Sequence, residues 1–191
     1  MTHSTPSKTE LRTTLRQRRR RLDEAQQSAA ARALCHQVER LPAWPGARCI
    51  ALYLAADGEI ATDFLGERAR ALGKRVFLPV IGSDNSMEFA EWAGNGPLET
   101  NRYGIPEPPL TAVRCPVAEL DIIFLPLVGW DRSGGRLGMG GGFYDRTLAG
   151  VSGPVLAGLS HAGQEVPKVP REEWDVPLQF VVTDTELVRC Q

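Results

Sequence analysis

The apolar segment 121–128 (DIIFLPLV) narrows the choice of fold more than any other part of the chain. Apolar residues at successive positions predict a strand with both faces buried, as in the middle of a parallel sheet. Upstream, the runs 49–54 and 74–80 also predict strands, and a segment with helical spacing over about 62–72 lies between them. A strand, a helix and a strand in this order predict a right-handed crossover between parallel strands. The chain is therefore expected to fold as an α/β protein.

Two more apolar runs, 154–159 and 179–183, raise the number of main predicted strands to five, interleaved with helices. One of these helices is predicted over 143–149. Residues 82–120 are rich in Gly, Pro and Asn, which predicts irregular structure. Within them, the short alternating run 87–92 predicts an edge strand or a hairpin arm.

The amino-terminal part, residues 7–40, predicts a basic helix, or two. An apolar stripe is formed by three leucines at spacings of four and seven: Leu11, Leu15 and Leu22. Together with the strands, this predicts one three-layer domain over residues 1–191 that begins with a basic helix. Its sheet is expected to be mostly parallel and doubly wound (Rossmann-like), and residues 1–7 are expected to be flexible.

Charge is divided unevenly along the chain, although the total is only −1. Seven cations stand against one acid in residues 1–21, a net +6, so residues 22–191 carry −7. A body that is acidic overall argues against a protein that binds nucleic acid over its whole surface. The basic start leaves open a non-enzymatic folate- or nucleotide-binding module whose arm docks on RNA. For residues 18–21 the expectation is a solvated helix face.

Composition and cysteine usage exclude other classes of protein. With 191 residues, 42% of them hydrophobic, the chain can bury a substantial core. Its longest apolar stretch, 122–130, is interrupted by Pro126 and Gly129 and is far shorter than the roughly 20 residues that span a bilayer. The four cysteines form no C-x-x-C pair, which argues against a zinc ribbon and is typical of reduced thiols. We therefore expect a cytoplasmic protein that does not bind a membrane.

Six glycines occur in residues 134–142 (GGRLGMGGG), between the predicted central strand and a predicted helix. Open α/β sheets bind ligands at that edge, and glycine lets backbone N–H groups converge on an anion. The segment is not a Walker A loop, because Gly141 and Gly142 stand where that motif has Lys and Ser or Thr, and no G-x-G-x-x-G register fits. It predicts an anion site in which Arg136 is the cation. A flexible surface turn is the alternative.

Two segments resemble the signature of the 5-formyltetrahydrofolate cyclo-ligase family: 125–131 (LPLVGWD) and 135–146 (GRLGMGGGFYDR). The resemblance extends to 8–12 (KTELR), 103–108 and 170–175, and so covers nearly the whole chain. It implies conversion of 5-formyltetrahydrofolate, with or without a polyglutamate tail, to 5,10-methenyltetrahydrofolate. ATP and Mg²⁺ would be required, and a phosphorylated formyl group (an iminium phosphate) would form before ADP and phosphate are released. A monomer that binds no nucleic acid is expected.

The resemblance also implies the residues of the site. Arg136 and Tyr144 would be catalytic. The ATP site would comprise Lys8, Thr9, Glu10, Leu11, Arg12, Arg136, Leu137, Gly138, Met139, Gly140, Gly141, Gly142, Phe143 and Tyr144. The folate site would comprise Leu54, Glu59, Tyr103, Met139, Gly140, Gly141, Gly142 and Phe143. Asp145 and Asp175 would bind Mg²⁺, which prefers oxygen ligands.

The loop departs from the family pattern at two positions. Many members have Lys where Gly141 stands, and some have Arg where Met139 stands. The loop therefore has up to two fewer cations, for which Arg136 and the cations of the first helix would compensate. Because Arg12 follows Lys8 by one helical turn, both can face one ligand.

Overall fold

The computed structural model describes residues 6–82 and 86–191. Within them, the helices are α1 (Lys8–Arg20), α2 (Glu24–Val38), α3 (Asp63–Ala71) and α4 (Phe143–Leu148). The strands are β1 (Cys49–Ala51), β2 (Arg75–Ile81), β3 (Met87–Glu91), β4 (Glu99–Thr100), β5 (Pro106–Glu107), β6 (Arg114–Cys115), β7 (Ile122–Pro126), β8 (Gly129–Trp130), β9 (Arg136–Leu137), β10 (Val155–Ser160), β11 (Phe180–Thr183) and β12 (Leu187–Arg189). Short 3₁₀ turns occur at Val117–Glu119 and Ala162–Gln164.

Eight of these strands form the main sheet, in the order β12-β11-β10-β7-β1-β2-β3-β6. The five from β11 to β2 are parallel, and β12, β3 and β6 are antiparallel at the two ends. β7 lies at the centre, where Ile123 pairs with Ala51 of β1 on one side and with Leu156 of β10 on the other. The predicted α/β fold, with a mostly parallel sheet around a buried central strand, is confirmed.

The core lies on both faces of this sheet. Side chains alternate along β7, so Ile122 and Phe124 belong to the cluster that includes α2 and α3, while Ile123 and Leu125 belong to the cluster that includes α4. All four side chains are fully buried. Helices therefore cover both faces of the strand, which explains why the segment lacks the polar alternation of a half-exposed strand.

The predicted amino-terminal helix is two helices, each with its own capping box. Ser7 pairs with Glu10 at the start of α1, and Asp23 pairs with Gln26 at the start of α2. Leu11 and Leu15 lie in α1, whereas Leu22 lies between the two helices. The predicted apolar stripe therefore does not continue along one helix axis. The flexible start expected at 1–7 falls mostly on residues 1–5, which lie outside the described residues.

The predicted alternation of strands and helices holds only in part. α3 connects β1 to β2 and α4 lies between β7 and β10, but short antiparallel strands separate β2 from β7, and a 3₁₀ turn and loops separate β10 from β11. The run at 87–92 forms β3, which pairs antiparallel with the preceding strand β2 as a hairpin arm would, and it is not an edge strand, because β6 pairs with its outer side. Within 82–120, expected to be irregular, the described residues form four short strands. Strands of two residues carry too little periodicity to be predicted.

None of the helices in residues 6–82 and 86–191 has the length and apolar character that a membrane span requires.

Candidate functional site

A cavity of about 840 Å³ opens at the carboxyl ends of β1, β2 and β7. Its walls include Tyr53 and Leu54 after β1, Pro79 in β2 and Val128 after β7. Further walls come from α1, the loop after β1, residues 101–107, β9 with the segment that follows it, the first turn of α4, and residues 174–175. Doubly wound sheets bind their ligands at this edge, where the parallel strands end together.

The structure divides the glycine-rich segment into two parts with different roles. Gly134 and Gly135 lie in the turn between β8 and β9 and are not among the residues that line the cavity. A Cβ atom at Gly134 would clash with the Leu178 carbonyl oxygen, and one at Gly135 would clash with the Asp131 carboxylate. The prediction of a single anion-binding loop over 134–142 is therefore wrong for its first two glycines, which allow close packing of the hairpin.

The second part, residues 138–142, lines the cavity and is held by α1. Arg12 Nε donates a hydrogen bond of 2.9 Å to the Gly138 carbonyl oxygen. Gly140 has a φ of +104°, and a Cβ atom there would lie 3.6 Å from the Arg12 guanidinium carbon. Gly142, with a φ of +66°, precedes α4 in the left-handed conformation. Arg12 thus places a positive charge against the loop that lacks cations at positions 139 and 141.

Lys8 and Arg136 bring two more positive charges to the cavity, each paired with an acid. Lys8 Nζ donates a 2.7 Å hydrogen bond to Asp175, and Arg136 forms an ion pair with Asp145. The Asp145 carboxylate also accepts the N–H of Val176 at 3.0 Å. Arg136 Nε is buried and has no hydrogen-bond partner among the residues that the structure describes. An unpaired buried donor is costly, so an anionic acceptor such as a phosphate oxygen fits this position.

Asp145 and Asp175 are linked through the backbone. The N–H of Val176, the residue after Asp175, donates a hydrogen bond to the Asp145 carboxylate. Burial opposes the ionisation of Asp175, but hydrogen bonds from Lys8 and from a backbone N–H outweigh it and lower the pKa of this carboxyl. Carboxylates of this kind suit Mg²⁺. Across 6–82 and 86–191, no group of three or more His, Cys, Asp or Glu side chains is arranged to hold a metal. A metal here would therefore need oxygen ligands from a bound molecule.

Glu59 lies in the cavity wall formed by the loop after β1, and its side chain is 11% exposed. Its Oε2 accepts the Ala56 N–H at 3.1 Å, and its Oε1 lies 3.7 Å from Nη2 of Arg19. Burial raises the pKa of the Glu59 carboxyl, although both of these neighbours act to lower it. A carboxylate that faces a cavity can accept two hydrogen bonds from an amino group and a neighbouring ring N–H of one ligand.

Aromatic and apolar side chains surround the mouth of the cavity. The rings of Tyr103 and Phe143 meet edge to face, with centroids 5.9 Å apart. Tyr103 and Met139 are each half exposed. The pKa of the Tyr144 phenol is raised, first by burial and then by the charge of Glu59, so Tyr144 remains a hydrogen-bond donor at neutral pH. A planar ligand could therefore stack near the mouth and meet polar groups deeper in the cavity.

Most of the predicted site residues line this one cavity. They are Lys8, Arg12, Leu54, Glu59, Tyr103, Arg136, Leu137, Gly138, Met139, Gly140, Gly141, Gly142, Phe143, Tyr144, Asp145 and Asp175. Three residues of α1 that the resemblance places in the ATP site are not in its lining: Thr9 and Glu10 are exposed, and Leu11 packs against Leu15 and Val128. Lys8 and Arg12 are one turn apart and therefore lie on the same face of the helix. The residues between them point away from that face.

Sequence reasoning missed Arg19 and Asp57. The expectation of a solvated face at 18–21 is wrong for Arg19, which is 1% exposed. The spacing in the sequence could have indicated that Arg19 is buried, because it follows Leu15 by four positions and so shares the buried face of α1. Asp57 lines the cavity and accepts hydrogen bonds from three arginines of α1. Trp174 also lines the cavity and is 70% exposed.

Fold and site together define a doubly wound α/β protein with a candidate ligand cavity at the carboxyl edge of its sheet, between a basic helix, a glycine-rich loop and a buried carboxylate. A profile of the 5-formyltetrahydrofolate cyclo-ligase family matches residues 4–184. The chain belongs to this family.

Relatives with that name are similar over nearly their whole length. The chain is 38% identical to the 5-formyltetrahydrofolate cyclo-ligase of Haemophilus influenzae over 180 residues, which is 92% of this chain and 96% of the relative. It is 41% identical to the enzyme of the same name from Escherichia coli over 181 residues, 91% of this chain and 98% of the relative. The solved structure of 5,10-methenyltetrahydrofolate synthetase from Aquifex aeolicus superimposes with a TM-score of 0.85 at 28% identity and covers 96% of this chain and 93% of its own.

Proposed function

We propose that the protein converts 5-formyltetrahydrofolate to 5,10-methenyltetrahydrofolate at the expense of ATP, with Mg²⁺. One observation carries this proposal: a single cavity joins a carboxylate suited to a pterin, Glu59, to the cations Lys8, Arg12 and Arg136, which are suited to phosphates. The names of the relatives in Haemophilus influenzae and Escherichia coli support the choice of substrate.

In the folate half of the site, Glu59 would recognise the pterin. The amino group and ring N–H of the pterin are two adjacent donors, and the ionised carboxylate offers two acceptors. Leu54 lines the same wall and supplies apolar contact. Tyr103 and Phe143, whose rings are 5.9 Å apart, would contact the flat rings of the folate near the mouth.

In the ATP half, α1 and the loop would divide the phosphate contacts between them. Arg12 lies against Gly138 and Gly140, and so its guanidinium supplies positive charge beside a loop that has no cation at positions 139 and 141. Arg136, with its buried Nε unpaired within the described residues, would bind an oxygen of the transferred phosphoryl group.

Asp145 and Asp175 would hold Mg²⁺ together with phosphate oxygens and water. Their carboxylates match the hard oxygen ligands of this ion, and two protein ligands are typical of magnesium bound with a nucleotide. When bound, Mg²⁺ supplies positive charge that offsets the charge of the phosphates. Lys8 and Arg136, the present partners of the two acids, would be available to the nucleotide.

The proposed chemistry needs no nucleophilic side chain. The formyl oxygen attacks the γ-phosphorus of ATP, the bond to the β-phosphate oxygen breaks, and ADP leaves. N10 of the folate then attacks the activated formyl carbon and loses its proton to water, the carbon–oxygen bond breaks, and phosphate leaves as the ring closes. The protein aligns the two substrates and stabilises moving negative charge through Arg136, Arg12 and the Tyr144 hydroxyl.

The test mixes purified protein with 5-formyltetrahydrofolate, ATP and Mg²⁺. Methenyl absorbance should appear together with an equimolar amount of ADP. Absence of product at high enzyme concentration would contradict the proposal.

The alternative of a non-enzymatic module with an RNA-docking arm has less support. Lys8 and Arg12 line the cavity, and Arg16, Arg19 and Arg20 all bond to Asp57. Five of the seven cations in residues 1–21 therefore line the cavity or pair with Asp57, which leaves few of them to bind a polyanion. Salt-dependent RNA binding that disappears when residues 1–21 are removed would favour the alternative.

A further inference from the structure

A buried arginine that no step of the proposed reaction uses lies next to Glu59. Arg19 on α1 is 1% exposed and is not among the residues that line the cavity. Its Nε donates to the Asp57 carbonyl oxygen at 2.8 Å, its Nη1 to the Leu127 carbonyl oxygen at 3.0 Å, and its Nη2 to the Asp57 carboxylate at 3.0 Å. Nη2 also lies 3.7 Å from Oε1 of Glu59. The planar guanidinium is therefore fixed on three sides and presents one nitrogen to the Glu59 carboxylate.

The loop that carries Glu59 is packed directly on α1 beside this arginine. Asp57 and Gly58 have φ values of +54° and +76°, so two successive residues adopt the left-handed conformation. A Cβ atom at Gly58 would lie 3.3 Å from the Arg19 carbonyl oxygen and 3.4 Å from its Cγ. A left-handed backbone costs an aspartate free energy, which its hydrogen bonds to three arginines of α1 offset.

We propose that Arg19 is a positioning residue for folate recognition, which holds this loop against α1 and orients the Glu59 carboxylate toward the N–H donors of the pterin. The inference rests on the proposed function. Arg19 does not touch the substrate, so its effect passes through Glu59. Its removal weakens folate binding and leaves the binding of ATP, at the Lys8 end of the same helix, unchanged.

The charges around Glu59 predict how this role is detected. The titratable and charged side chains that face it are Arg19 from α1, Asp57 from its own loop, Tyr53 after β1 and Tyr144 from α4. Among these four side chains, only Arg19 carries a positive charge. Without it, the pKa of Glu59 rises further, because burial and the charge of Asp57 are no longer opposed from α1. As pH falls, the Glu59 carboxylate of an Arg19 variant should therefore take up its proton, and lose affinity for the folate, at a higher pH than in the wild type.

The experiment measures direct binding of 5-formyltetrahydrofolate by calorimetry from pH 5.5 to 8.5, in the absence of ATP. At pH 7.5, Arg19→Met should weaken binding by roughly tenfold, and the pH at which half of the affinity is lost should move upward. Arg19→Lys keeps the charge without the planar fork and should lose less affinity. The control Arg21→Met changes an exposed arginine just after α1 and should behave as the wild type. Binding of a non-hydrolysable ATP analogue with Mg²⁺ should be the same in all four proteins.

A double-mutant cycle separates positioning from folding, since a buried arginine also contributes to stability. If Arg19 acts through Glu59, Arg19→Lys weakens folate binding in the wild type but has little further effect when combined with Glu59→Gln. Equal losses in both backgrounds, or equal losses of folate and ATP-analogue binding, would overturn the inference. Folate binding that is unchanged in the Arg19 variants would overturn this inference alone, whereas a wild type that binds no folate contradicts the proposed function as well.

Discussion

At the scale of single residues, the cavity holds charged groups whose partners come from distant parts of the chain. Arg136 pairs with Asp145, Lys8 pairs with Asp175, and Glu59 faces Arg19. In water these ions would be solvated separately, whereas in the cavity wall each depends on the position of another segment. A change at those that line the cavity is therefore expected to alter ligand binding.

Arg136→Ala should lower kcat/KM for ATP by roughly 100-fold or more, because it removes the guanidinium proposed to bind the transferred phosphoryl group. Steady-state kinetics with varied ATP at saturating folate measure the effect. The control is Arg132→Ala, which removes an exposed arginine of the same hairpin that pairs with Glu165 and Glu186, outside the cavity lining. Equal kinetics in both variants would remove Arg136 from the site.

Glu59→Gln should impair folate binding yet stabilise the protein near neutral pH. Because burial raises the pKa of Glu59 in the folded state, the unfolded chain loses its proton first, and the wild type loses stability as pH rises from the unfolded pKa of about 4.5 to the raised folded pKa. Below that window both states are protonated. The Tm of the variant should therefore exceed that of the wild type at pH 7.5, with the difference vanishing at pH 4. A Tm difference that is independent of pH would contradict this assignment.

At the scale of secondary structure elements, α1 connects the two halves of the site. Near its start, Lys8 and Arg12 contact Asp175 and the Gly138 carbonyl, and near its end three arginines hold the loop at Asp57. One rigid helix therefore sets the spacing between the proposed ATP contacts and the Glu59 loop. A basic arm that stands apart from an α/β body does not describe this molecule, because Lys8 and Arg12 of α1 line the cavity.

Gly58→Ala tests the contact between α1 and this loop. Gly58 and Gly73 have φ values of +76° and +75°, but a Cβ atom at Gly58 meets Arg19 at 3.3 Å, whereas one at Gly73 has nothing within 4 Å. Gly73→Ala should destabilise the protein by about 1 kcal/mol, the cost of the left-handed conformation alone. Gly58→Ala should cost about 1 kcal/mol more and also weaken folate binding. Urea unfolding of the two variants measures the difference, and equal values would show that the loop is not tightly packed on α1.

At the scale of the whole molecule, the cavity is built from strand ends, α1 and the glycine-rich loop, which lie far apart in the chain. A ligand that contacts all of these segments should stabilise the fold as a unit. Because bound ligand favours only the folded state, the gain grows with ligand concentration over Kd.

An ATP analogue with Mg²⁺ at 100 times its Kd should add about 2.7 kcal/mol to the free energy of unfolding. For a chain of this size, that corresponds to a rise in Tm of roughly 5–10 °C. Differential scanning fluorimetry measures the shift, and Arg136→Ala should reduce it at the same concentration. Absence of a shift in the wild type, at concentrations that saturate the reaction, would contradict a nucleotide site in this cavity.

Local patterns in the sequence were sufficient for the parallel core of the fold. The segment 121–128 is apolar at successive positions, and the observed β7 is buried on both faces between β1 and β10. The antiparallel edge strand β6 could not be predicted in the same way. Its pairing depends on how the chain returns through residues 82–120, and strands of two residues leave no periodic signal.

For the site, the family motif in the sequence identified half of the residues that line the cavity, because it names side chains whatever their distance in the chain. It could not show that Gly134 and Gly135 serve the hairpin, that Arg12 lies on the loop where two cations are absent, or that Arg19 is buried beside Glu59. The sequence by itself thus determined the class of fold, the family and the residue types of the site. Only the tertiary structure decided which charges meet, because pairs such as Lys8 and Asp175, 167 positions apart, come together solely through the packing of α1 across the end of the sheet.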